Sequence, residues 1–209
     1  MSERFWNKQS KKYDKSAKDN AYQLNIDRTS KYLKKQHVVL DFACATGLYT
    51  IPFAKKVKEI QAFDTSSEMI KIAASLSFEE GIKNVTFTQT TLFDQKYEKN
   101  GFNVLLAFNI LLYFKDPDPV LYRIGEVLKK DGILVTTTAC LKEKRSLAAF
   151  FSGMVIFILR TFRILPYLKF YSMKMIEKKI ESSGFKIIET EVLIDTPATE
   201  YYIVAQKVG

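Results

Sequence analysis

Short apolar runs alternate along this chain with segments whose apolar positions recur at helical spacing. His37–Phe42 (HVVLDF) is a β-branched apolar run and reads as a buried strand. Thr50–Val57 reads as a helix, with Pro52 tolerated in its first turn. Glu59–Asp64 is a second strand, and Ser66–Glu80 a helix with a serine cap, closed by Gly81. Asn84–Gln89 and Phe102–Phe108 are the third and fourth strands. The next segment, DPVLYRIGEVLKKDG, predicts a helix capped by Asp118, with Pro119 at its first position and Gly132 just past its end. Ile133–Thr138 is a fifth strand.

The rhythm then changes. Residues 141–171 are aromatic-rich and apolar, with Arg160 and Arg163 inside. A capped helix follows at Ser172–Phe185, closed by Gly184, and then two strands, KIIETEVL and EYYIVAQK. Closely following strands of this kind pair antiparallel at a sheet edge. The pattern predicts an α/β three-layer sandwich: a seven-stranded, mostly parallel sheet with its last strand antiparallel, helices on both faces, and helical cap elements. At 209 residues without repeats or linkers, one domain over 1–209 is expected. Residues 1–36 would form an N-terminal helical lid segment and 141–171 an apolar cap insertion.

Composition narrows the partners. The 47% apolar and 26% charged residues are ordinary for a globular chain. The net charge is +9, but its lysines are spread among acids with no arginine-rich block and no nucleic-acid-reading motif. Nucleic acid is therefore not the expected partner. The two cysteines, Cys44 and Cys140, stand in no metal-ligand spacing, so no metal is expected and a reducing, cytoplasmic compartment fits. The N-terminus lacks the apolar core of a secretory signal. The longest apolar stretch, Leu147–Leu159, is too short to span a bilayer. Residues 145–171 could instead form a lid, an oligomer contact such as a homodimer surface, or a peripheral membrane contact.

Parallel sheets of this kind bind ligands at the carboxyl ends of their strands. The first strand ends in DFACATG, Asp41 to Gly47. A loop there needs small residues so that backbone can approach a ligand. Alanine suits Ala43 and Ala45 if both have negative φ; Gly47 keeps the freedom where the helix begins. Asp41 separates cofactor classes. It would repel a pyrophosphate placed on this helix N-terminus, and it would welcome an ammonium or sulfonium. Dinucleotide spacing fails as well, because the third glycine of G-x-G-x-x-G would fall on Leu48. Asp64, at the second strand end, can accept two hydrogen bonds from a ribose diol. Thr91 and the Leu92 backbone could meet an adenine edge. Phe108, Asn109, Ile110 and Tyr113 follow the fourth strand.

These residues resemble class I S-adenosylmethionine-dependent methyltransferases of the small-molecule branch, which opens "W-x3-A-x2-YD". Here that opening reads FWNKQSKKYDKSAKDN, Phe5 to Asn20. VLDFACATG matches the glycine-rich first motif, IQAFDTSSEMIKIA the acidic second, and the stretch from Phe102 to Thr137 the fourth-strand region. The resemblance covers residues 1–140 well. It implies S-adenosylmethionine as cofactor, with S-adenosylhomocysteine as product, and a small, apolar or aromatic acceptor. It further implies that Asp41 sits near the cofactor's amino group, partly through water, and that Ala43, Cys44, Ala45 and Gly47 line the methionine portion. Asp64 would hold the ribose hydroxyls, Thr65 and Met69 would lie beside the adenine, and Thr91 and Leu92 would address its amino edge. Phe108 and Asn109 would flank the sulfonium, and Tyr13 would close over the cofactor.

Two departures stand out. The usual glycines at 43 and 45 are alanines, and the histidine pair of many relatives is replaced by Leu112 and Tyr113. No base is identified; Tyr13 and Tyr113 are the candidate catalytic residues. His37 lies away from the strand ends. The alternatives are an RNA methyltransferase, encouraged by the charge but lacking a [DNS]PP[YFW] motif after the fourth strand, and a catalytically silent cofactor-binding protein, encouraged by the alanines.

Overall fold

The structure is a computed structural model that describes residues 3–18, 20–143, 155, 166–195 and 198–208. Two helices, α1 (Glu3–Ala17) and α2 (Asn20–Ser30), precede the first strand. Strands and helices then alternate: β1 (Val38–Phe42), α3 (Thr50–Ala54), β2 (Glu59–Asp64), α4 (Ser67–Glu79), β3 (Val85–Gln89) and β4 (Phe102–Phe108). After a 3-10 turn at Leu111–Tyr113 come α5 (Asp118–Val127), β5 (Leu128–Cys140), α6 (Met173–Ser182), β6 (Phe185–Ile194) and β7 (Thr199–Lys207).

The sheet has seven strands in the order β3-β2-β1-β4-β5-β7-β6. The first five are parallel, and β7 runs antiparallel between β5 and the edge strand β6. The core therefore has two layers. On one face α5 and α6 bury Leu121, Ile124, Ile176 and Ile180 against Leu40, Leu105 and Leu134. On the other, α2 and α3 bury Ala21, Ile26 and Phe53 against Val39, Ile60 and Val104. Adjacent residues of β1 thus face opposite layers, which is why its sequence is a continuous apolar run rather than an alternating one.

The local signals at two helix starts are realised. Ser66 accepts from the Met69 amide at 3.2 Å, and Ser172 from the Met175 amide at 3.3 Å, each supplying a cap. Gly81 and Gly184 close their helices at φ +66 and +87.

Three boundaries differ from expectation. The helix expected through Val57 ends at Ala54. The helix expected to run to Gly132 ends at Val127, because Leu128 already pairs with Phe102 and the chain enters β5 through a bulge containing Asp131 at φ +60. Asp118 lies inside that helix, whose cap position is Pro117 with no side-chain bond.

Most of the expected cap segment, and with it the expected membrane or oligomer contact through 145–171, lies outside the described residues. Its end returns to the 3-10 turn after β4, with Lys169 N donating to Leu112 O at 2.7 Å. Among the described residues no helix is long and apolar enough to cross a membrane.

Candidate functional site

A cavity of about 1070 Å³ opens at the carboxyl ends of β1, β2, β4 and β5, beneath α1. Ala43, Ala45, Asp64, Thr65, Met69, Thr91, Leu92, Phe108 and Asn109 line it, as do Tyr13 and Tyr113. Three of the expected residues, Asp41, Cys44 and Gly47, lie behind the lining.

The loop after β1 has an unusual backbone. Ala43, Ala45 and Gly47 lie at φ 59, 49 and 79, so the expectation of negative φ at the alanines is overturned. The chain retains a glycine-type conformation with alanine in it, at roughly 1–2 kcal/mol per residue. The surroundings hold it there. Cys44 N donates to Phe63 O at 2.9 Å, Gly47 N to Cys44 O at 3.0 Å, and Ala45 N to Asp64 Oδ2 at 3.1 Å. Gly47 has a second reason to be glycine: a Cβ there would meet Ala73 Cβ and Phe87 Cζ, both at 3.3 Å.

The two aspartates are buried differently. Asp64 accepts from Ala45 N and, at 2.8 Å, from Ser66 N. Burial raises its pKa, and the bonds from Ser66, Ala45 and Thr65 oppose that rise. Asp41 is 2% exposed and accepts from Thr50 Oγ1 at 2.5 Å. Burial pushes it up to about 7; the Thr50 bond opposes this and the Asp64 charge adds to it.

Helix α1 is tied over this end of the sheet. Asn7 Oδ1 accepts from Ser66 Oγ at 2.6 Å and from Glu68 N at 3.3 Å. Thr46 Oγ1 donates to Asp14, and Gln89 Nε2 to Glu3 Oε1 at 3.0 Å. Trp6 stands edge-on to Tyr113, with ring centroids 5.7 Å apart, and to Tyr13 at 6.3 Å. On the opposite side Tyr49 packs on Phe108 at 4.7 Å. Arg123, from α5, fixes the loop after β3 by donating to Tyr97 O at 2.7 Å.

The titratable candidates are poor bases. Burial pushes the Tyr113 phenol up to about 12 and the Tyr13 phenol higher still, so both are neutral proton donors near pH 7. Burial also pushes the Cys44 thiol well up and the Cys140 thiol up to about 12, which removes both as ready nucleophiles. His37 lies at the entry to β1, away from the cavity, and its pKa is lowered by burial and then by Lys34 and Lys129. No group of three or more His, Cys, Asp or Glu able to hold a metal occurs among the described residues.

Sequence reasoning missed Glu200. It is the second residue of β7, is 8% exposed and lines the cavity, with Asn109 Nδ2 donating to its Oε1 at 3.0 Å. Its only signal was a charged residue at the head of an otherwise apolar strand. Phe42, Phe63, Phe114 and Leu168 also line the cavity, and none was singled out from the sequence.

The family model described as a methyltransferase domain matches residues 33–186. The chain is 28% identical over 99 residues to the uncharacterized methyltransferase YcgJ of Bacillus subtilis, covering 47% of this chain and 39% of that protein. It is 29% identical over 100 residues to a ubiquinone biosynthesis O-methyltransferase of Bradyrhizobium, covering 48% and 39%. A shorter match, 35% identical over 78 residues, is to a 23S rRNA uracil-C5 methyltransferase of Haemophilus influenzae, covering 35% and 18%. The chain spans about two fifths of the length of the first two of these relatives. The crystal structure of YcgJ superposes with a TM-score of 0.72 over 90% of this chain and 99% of that one, at 15% identity, a likeness of fold.

Proposed function

The chain belongs to the methyltransferase-domain family, and from that premise we propose that it transfers a methyl group from S-adenosylmethionine to a small apolar or aromatic acceptor. Residues 1–209 act as one domain in this reading, with the N-terminal helices as its lid.

One observation carries the reading: Asp41 and Asp64 flank a left-handed loop that opens on a largely aromatic cavity. The Ala45 amide is taken by Asp64, so a pyrophosphate would meet a carboxylate rather than a vacant amide nest. A cationic nucleoside fits. An ionised carboxylate has about four acceptor positions; beside the bonds from Ala45, Ser66 and Thr65, Asp64 retains one for a ribose hydroxyl. Ligand pockets run to about 300–1,000 Å³, so this cavity has room for a nucleoside cofactor and a small acceptor together.

The residues then divide the work. Thr65, Met69, Thr91 and Leu92 bracket the adenine. Ala43 and Ala45 bring backbone to the methionine portion, with Cys44 and Gly47 shaping the loop from behind and Asp41 acting on the amino group through water. Phe108 and Asn109 flank the sulfonium. Bound cofactor supplies an electrophilic methyl; the protein's task is to hold a nucleophile in line with it and to keep water out.

Calorimetry with S-adenosylmethionine and S-adenosylhomocysteine tests the reading. Micromolar binding by the wild type, lost in Asp64→Ala, is expected; no binding by the wild type refutes it. The +9 charge and the rRNA-modifying relative favour a second reading, RNA as acceptor. Salt-resistant, saturable RNA methylation would establish it; weak binding that falls steeply with salt would not.

A further inference from the structure

We propose that the outer face of α1 docks on an anionic lipid surface and brings the edge of the cavity against it. The docking itself needs no cofactor. Only its use, the capture of an apolar acceptor from the bilayer, rests on the methyltransferase reading.

The helix is divided lengthwise. Arg4, Lys8, Lys11, Lys15 and Lys18 are all exposed and stand alternately four and three residues apart, which keeps them in one line along a helix. Lys18 joins the line because its amide donates to Asp14 O at 3.0 Å and continues the last turn. Lys12 flanks the line and is exposed as well. Trp6, Ser10, Tyr13 and Ala17 repeat the same spacing on the opposite side of the helix. Ser10 is buried, and the other three line the cavity. The cations thus run along about 21 Å of one face, at about 1.5 Å per residue, back to back with side chains that line the site.

The charge on this face is uncompensated. The helix has two acids, Glu3 and Asp14, and both are engaged by the body of the protein. Glu3 accepts from Gln89 Nε2 at 3.0 Å, and Asp14 accepts from Thr46 Oγ1. Among the described residues none of the six cations is in an ion pair. Like charges three and four residues apart repel along a helix, so the row carries a cost that an external polyanion removes.

Two observations select a lipid surface among polyanions. The line holds no aromatic side chain on which a base could stack, whereas a straight row of lysines matches a plane of anionic headgroups. Lys12 also lines the cavity, so the basic face runs to the cavity's edge. Within that edge stand Phe5, Trp6, Tyr113, Phe114 and Leu168. Walls of this kind take apolar molecules, which a bilayer concentrates.

Vesicle binding by the whole chain tests the proposal. Phosphatidylcholine vesicles are compared with vesicles in which about one third of the lipid is phosphatidylglycerol. Binding to the anionic vesicles should be at least about tenfold tighter, and should disappear near 1 M salt, where the Debye length shrinks to about 3 Å. Each cation near such a surface contributes about fivefold in affinity, so Lys8→Gln, Lys11→Gln and Lys15→Gln together should weaken binding about 100-fold. The same three lysines changed to arginine should bind as the wild type does. Lys58→Gln, Lys83→Gln and Lys130→Gln, at three exposed lysines elsewhere, lower the net charge equally and should weaken binding less than about fivefold. No preference for anionic vesicles, equal losses in the two glutamine variants, or loss in the arginine variant overturns the proposal. Tighter binding of a single-stranded RNA than of anionic vesicles at about 0.15 M salt also overturns it, in favour of nucleic acid. S-adenosylhomocysteine affinity, measured without vesicles, should be unchanged in every variant. A wild type that binds anionic vesicles but no cofactor leaves the docking standing and sinks the methyltransferase reading.

Discussion

The two halves of the cavity are built by different means. The half proposed to take the nucleoside comes from strand ends and the loops that follow them, and polar groups fix its shape: Asp64 on Ala45 N and Ser66 N, Ser66 on Met69 N. The half proposed for the acceptor is assembled from residues far apart in sequence. Trp6 meets Tyr113, Asn109 meets Glu200, and Leu168 returns from beyond the cap segment. Packing rather than hydrogen bonding dominates there. Hydrogen bonds demand specific residue types at fixed spacings, whereas aromatic packing accepts many arrangements of equal volume. In the proposed reading the first half is suited to a constant ligand, and the second to an acceptor that can change with a few substitutions.

The sharpest way to break that division is Asp64→Ala. It strips an acceptor from two backbone amides as well as from the ribose, so cofactor affinity should fall at least about 100-fold and stability by about 2 kcal/mol. Calorimetry and denaturant unfolding measure the two effects. A loss under threefold would mean the nucleoside half has been misassigned.

Trp6→Ala probes the other half. It removes edge contacts to Phe5, Tyr13 and Tyr113, each pair contributing about 0.5–1.5 kcal/mol. Acceptor kcat/KM should fall about tenfold while cofactor affinity changes less than threefold. Equal losses in both would show that the halves are not separable.

In the proposed reading Asp41 links protonation to cofactor binding. Its pKa is about 7 in the ligand-free protein, and a nearby ammonium favours the ionised form. Cofactor affinity should therefore rise about tenfold from pH 6 to pH 8, and Asp41→Asn should flatten that slope. Stability runs the opposite way. Below about pH 4 the carboxyl is protonated in folded and unfolded chains alike. Between there and about 7 only the folded protein keeps the proton, so stability falls as pH rises, and above about 7 the whole penalty is present. Asp41→Asn should accordingly stabilise the ligand-free protein by at least about 1 kcal/mol at pH 8, with a smaller gain at pH 5.

The smallest expected effect is at the alanines. Ala45→Gly relieves a left-handed residue and should raise stability by about 1 kcal/mol, or roughly 2–4 °C in Tm, with binding unchanged or tighter. A marked loss of binding would show that the methyl group itself shapes the nucleoside half.

Legibility followed the range of the interactions. Asp64, Thr65 and Met69 could be read because a strand end, a cap and a helix start leave local signals a few residues apart. The φ of Ala43 and Ala45 could not: alanine alone argues for negative φ, and contacts from Phe63 and Asp64 on the next strand reverse that preference. The α5 boundary failed for the same reason. LKKDG continues a helical pattern, but Leu128 is paired to Phe102 across the sheet, and sheet pairing outweighs weak helix propensity.

By itself, the sequence determined the alternating strands and helices, the antiparallel last strand, and the position of two carboxylates at consecutive strand ends. Those features rest on periodicity, capping and short spacing, which act within a few residues of one another. The tertiary structure alone decided that Asp41 lies behind the cavity lining with a raised pKa, and that Glu200, 91 residues from Asn109, faces the same space. Burial and long-range contact are properties of the packed sheet, and a pKa or a shared cavity exists only once that packing has excluded water.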